Sequence, residues 1–146
     1  MTDIHIALAV GVVALNALAG GWGAIAWLRH EPSVIFWYLL RVAQVVTILQ
    51  VVLGLFLLVR GSGAPDALHV LYGCLPIVVA MVSEGLRVNA AAHELEGVED
   101  VDALERSEQP EIARRVVLRE MAIMSVGAIL IVTLALRAAA SAGALS

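Results

Sequence analysis

Lysine is absent from the 146 residues, and all nine cationic side chains are arginine. Cysteine occurs once, as Cys74, which excludes an internal disulfide, a paired-cysteine redox motif and a thiolate zinc cluster. Charge is scarce as well: only 15% of residues are Asp, Glu, Lys or Arg, against about 25% in an ordinary soluble domain. The formal net charge is −4, and no basic cluster is present to neutralise phosphates, so nucleic acid is excluded as a partner. No nucleophile stands beside a base, no glycine-rich phosphate loop follows a strand, and no chain of acids threads the apolar runs. A hydrolase and a nucleotide-driven pump are therefore poor readings.

What fills the chain is apolar. Hydrophobic residues make up 61% of it, and the mean hydropathy is +0.93, where soluble domains average about 45–50% apolar. A chain this short leaves about a third of its surface outside any core, so such a surplus implies lipid around it. A hydrocarbon layer about 30 Å thick is crossed by about 20 apolar helical residues, and four runs qualify: 4–28, 34–59, 67–86 and 121–140. Backbone groups in lipid need internal partners, so the runs are expected to be helices. The expected architecture is an all-α, integral-membrane four-helix bundle forming one domain, with a polar connection over 87–119.

The junctions carry fitting punctuation. Pro32 resists continuation of the first helix and Ser33 can cap the second; Asp66 is a natural cap for the third; Gly97 closes an extension of the third, and Pro110 opens a fourth helix that begins before the apolar run. A short further helix is expected over 100–107. The first run resembles a secretory signal around Ala17-Leu18-Ala19, but Met1-Thr2-Asp3 has no positive charge, so it is expected to remain as a span. Arg29, Arg87, Arg106, Arg114, Arg115 and Arg119 fall on one side, with only Arg60 and Arg137 on the other. The positive-inside rule then predicts a plasma-membrane protein with both termini extracytoplasmic.

Polar groups inside apolar runs are expensive and mark function by default. His5 and His69 begin two runs that point the same way, so they should share one depth, and neutral imidazoles on facing helices suit axial ligation of a heme iron. His69, Gly73, Pro76, Ala80 and Ser83 share a helical face, as do His5, Ala9, Asn16, Gly20 and Gly23. Gly73 would leave room for a flat macrocycle, and Tyr72 is placed to hydrogen-bond near His69. Arg41 and Glu84 form a second expected pair, an ion pair joined by Gln44. Asn16, Thr47 and Gln50 read as interhelical hydrogen-bonding groups. Small faces at Gly20, Gly23 and Gly54 leave room for a homo-oligomer or a place in a larger membrane complex.

Leu68-His69-Val70-Leu71-Tyr72-Gly73, Glu84-Gly85-Leu86-Arg87, Arg119-Glu120-Met121 and Leu134-Ala135-Leu136-Arg137 resemble a group of small four-span actinobacterial membrane proteins. That likeness covers most of the chain from the second run onward and implies architecture without an activity. Gln50-Val51-Val52-Leu53-Gly54 followed by Leu68-His69 is more distantly similar to one half of heme A synthase, a four-helix unit with histidines on two parallel helices. That family's glutamate-x-x-histidine-arginine signature is missing here. Three readings follow: a b-type heme protein or heme-bearing electron-transfer subunit, with His5 and His69 as ligands and Tyr72 and Gly73 shaping the pocket; a cofactor-free structural subunit; and a small channel or transporter with Arg41 and Glu84 on its path.

Overall fold

A computed structural model describes residues 2–61, 66–96 and 108–143. These form four helices: α1 (Thr2–Leu28), α2 (Val34–Val59), α3 (Ala67–Glu94) and α4 (Gln109–Ser141). Each is long and apolar enough to cross a membrane; the 26 residues of α2 alone reach about 39 Å at 1.5 Å per residue. The third and fourth helices extend beyond their apolar runs, as the junction residues suggested. Gly97, most of the turn after Gly61 and the helix expected over 100–107 lie outside the described residues.

Local chemistry explains the boundaries. After α1 the chain closes with a 5→2 bond from His30 N–H to the Trp27 carbonyl and a 6→1 bond from Glu31 N–H to the Ala26 carbonyl. This end places His30 in the left-handed region at φ 56°, a strained conformation for a non-glycine residue. Ser33 then caps α2 by accepting from Phe36 N–H, and its hydroxyl also accepts from the Trp22 indole at 2.9 Å. Asp66 caps α3 by accepting from His69 N–H at 2.8 Å.

The helices run up and down, with α4 as the shared neighbour. It packs closely against both α3 and α1, and α1 also packs on α2, whereas α2 and α3 touch only sparsely. The core is concentrated toward the end holding the α1–α2 turn, where Ala26, Phe36, Leu40, Met121 and Met124 meet. Close approach there requires glycine. A side-chain carbon at Gly23 would overlap Phe36 and the Ser125 hydroxyl, and one at Gly20 would press on Ile129. Gly54 instead faces His5. These three glycines are thus occupied inside the bundle, which corrects the reading of them as a surface kept open for another copy. The exterior is the reverse of a soluble protein's: Val59 is 86% exposed, Met81 70%, and Ile, Leu and Val cover much of the rest. Lipid tails match such a surface.

Candidate functional site

Two polar assemblies lie at opposite ends of the bundle. At the end formed by the start of α1, the end of α2, the start of α3 and the end of α4, the His5 and His69 rings meet with centroids 6.4 Å apart and planes inclined by 60°. Parallel helices α1 and α3 bring them to one depth. His69 Nδ1 lies 2.9 Å from the Ala138 carbonyl oxygen; a carbonyl only accepts, so Nδ1 carries the hydrogen and neutral His69 keeps a bare lone pair on Nε2. His5 Nε2 lies 3.3 Å from the Gln50 side-chain nitrogen. That leaves His5 Nδ1 and Gln50 Oε1 buried without a partner. Each unsatisfied buried group of this kind costs about 1–3 kcal/mol.

The two glycines nearest the pair differ in their surroundings. A carbon added at Gly73, one turn into α3 from His69, would meet no atom within 4 Å, and a carbon at Gly54 would approach His5 Cε1 at 3.2 Å. The Tyr72 ring lies under the Arg137 guanidinium of α4, 5.7 Å from the ring centroid. Charge on Arg137 favours the face of that ring.

The opposite end is saturated. Glu84 Oε1 accepts from Arg41 at 2.6 Å and from Gln44 at 2.9 Å, and Glu84 Oε2 accepts from Arg87 Nε at 2.9 Å. Arg87 reaches on to Glu120 at 3.4 Å, and its guanidinium lies over the Trp37 ring. Arg41 also donates to Gln44 Oε1 at 2.6 Å. Two cations and two anions from α2, α3 and α4 thus cancel. The Arg41–Glu84 pair and the bridging Gln44 follow from the sequence; the parts played by Arg87, at the start of the polar connection, and Glu120, just before the fourth apolar run, do not. Further out, Arg115 and Arg119 hold Glu94, and Arg114 donates to the His30 carbonyl at 2.8 Å.

Between the ends, Asn16 donates to Val12 O at 2.9 Å and to Thr47 Oγ1 at 3.2 Å, while Thr47 donates to Ala43 O at 2.8 Å. A groove of about 460 Å³ lies apart from the histidines and the charged cluster. Trp27, Val78, Val82, Ser83, Val126 and Leu130 line it, and its walls are predominantly apolar.

Among the described residues no group of three or more His, Cys, Asp or Glu side chains is arranged to hold a metal ion. A heme iron brings its own equatorial ligands and needs only two axial donors. Comparisons with protein-family models, curated proteins and solved structures return no match.

Proposed function

We propose that this is a small b-type heme protein of the plasma membrane, or a heme-bearing subunit of an electron-transfer complex, with His5 and His69 as the axial ligands. The observation that carries the proposal is the 6.4 Å separation of the two imidazole centroids. A metal bonded to one nitrogen of each ring at about 2 Å separates the centroids by roughly 6 Å. The donor set fits the group. Each ring has one nitrogen engaged, by Ala138 or Gln50, and His5 Nδ1 is buried without a partner. A second hydrogen bond of this sort fixes the tautomer and orientation of a ligating imidazole.

Bound here, the heme would supply one-electron chemistry. The chain's own contribution is then definable. Ala138 holds the His69 ring, Gln50 orients His5, Gly54 and Gly73 keep backbone close without blocking the site, and Arg137 on Tyr72 adds positive charge at this end.

Purified protein reconstituted with hemin should develop a Soret band and low-spin visible bands, and His69→Ala or His5→Ala should abolish the low-spin spectrum. A preparation that takes up no heme overturns the proposal and leaves the cofactor-free structural subunit. The arginine distribution supports an orientation with both termini extracytoplasmic. In a Cys74→Ala background, Gly61→Cys should react with an impermeant maleimide on intact cells and Glu31→Cys should not. The reverse pattern inverts the orientation.

A further inference from the structure

We infer that Asn16, Gln44 and Ser83 form an internal binding site for a water molecule, which extends the Glu84 cluster to the middle of the bundle. The starting point is an orphan. Asn16 is 1% exposed, and its Oδ1 has no hydrogen-bond partner. The orientation of that amide follows from its neighbours. Val12 offers a carbonyl, which only accepts, and Thr47 has already committed its hydroxyl hydrogen to Ala43 O. Both contacts must therefore come from the Asn16 NH₂ group, and Oδ1 is the atom left over.

Asn16 lines a small central cavity with Leu40, Gln44, Ala80, Ser83 and Met124. The cavity offers about 10 Å³ to water centres, close to the least that holds a single water. Its polar lining is complementary to one. Gln44 donates one amide hydrogen to Glu84 and accepts from Arg41 at its carbonyl oxygen, which leaves a second N–H to donate. A water accepting from Gln44 has hydrogens for Asn16 Oδ1 and for the Ser83 hydroxyl. Cavities of this size lined only by hydrocarbon stay dry, whereas polar partners of both kinds hold water in place.

The position gives the site a role. On α2, Arg41, Gln44, Thr47 and Gln50 follow one another every three residues and span about 14 Å of helix axis. Glu84 binds Gln44, and Thr47 binds Asn16. The water closes the step between these two hydrogen bonds, so polar connection runs unbroken from the Arg41–Glu84 cluster to the centre of the bundle. This inference is independent of any heme at the other end.

Water-edited magic-angle-spinning NMR of the full chain in lipid bilayers provides the test, read at the two asparagine side chains, Asn16 and exposed Asn89. Both amides should receive magnetisation from water. Ala80→Val, which fills the cavity, should cut transfer to Asn16 at least about five-fold and leave Asn89 unchanged. Transfer to wild-type Asn16 no greater than that to buried methyl groups overturns the inference. Melting temperature supplies an independent reading. Asn16→Leu should melt several degrees below Thr47→Val if Oδ1 is hydrated, and a rise above wild type would mean that the atom was dry and unsatisfied.

Discussion

The two polar ends of this bundle are built on opposite principles. At the Arg41–Glu84 end, each charge brought toward lipid meets an opposite charge, and Gln44 bridges the pair. At the His5–His69 end the imidazoles are held by hydrogen bonds rather than ion pairs, and buried valences on His5 and Gln50 are left without partners. A cluster of paired charges mainly stabilises, whereas the unpartnered valences on the histidine side are what the heme proposal draws on. The packing follows the same division. The densest core surrounds Phe36, Met121 and Met124 near the Arg41–Glu84 end, while on the histidine side a carbon added at Gly73 would meet no neighbouring element.

That contrast can be broken by experiment. The largest effect is expected from His69→Ala, which should eliminate the low-spin heme spectrum while changing stability by less than about 1 kcal/mol; a large loss of stability with an unchanged spectrum would reverse the assignment of the two ends. Glu84→Leu should do the opposite. It leaves Arg41 and Arg87 without their shared carboxylate, and denaturation in mild detergent should show a loss of about 2–4 kcal/mol with the heme spectrum intact. Arg41→Leu should cost less, about 1 kcal/mol, because Glu84 keeps Arg87 and Gln44. Gly54→Ala sharpens the comparison from the histidine side. Its new methyl group meets His5 Cε1 at 3.2 Å, so hemin titration should show affinity falling about three- to ten-fold, with melting nearly unchanged. The smallest effect is expected from Thr47→Val, about 0.6 kcal/mol for one interhelical hydrogen bond.

The elements were legible because their determinants are local. Apolar runs of sufficient length specify the helices, Ser33 and Asp66 specify two caps, and equal distance from the helix start specifies that His5 and His69 share a level. The Arg41–Glu84 pairing is legible too, since neither charge is tolerable alone at that depth. What escaped depends on which helix is next to which. The Arg87–Glu120 contact is not visible until α4 is placed against α3. The faces at Gly20 and Gly23 look free for another chain until Ser125, Ile129 and Phe36 fill them. The Asn16 cavity needs all four helices, so no single face displays it. The Arg137–Tyr72 contact escaped for a similar reason: its two residues lie more than sixty positions apart in sequence.

The central place of α4 bears on how the molecule is made. During synthesis α1 and α2 can join as a hairpin, but α3 then arrives with little to hold it, because its principal neighbour is the helix still to emerge. Met121, Met124 and Ala128 join the core last, and Arg114 ties that late helix to the α1–α2 turn through the His30 carbonyl. A ribosome stalled before α4 would deliver to the bilayer a hairpin and a stray helix, the sort of product that membrane proteases clear.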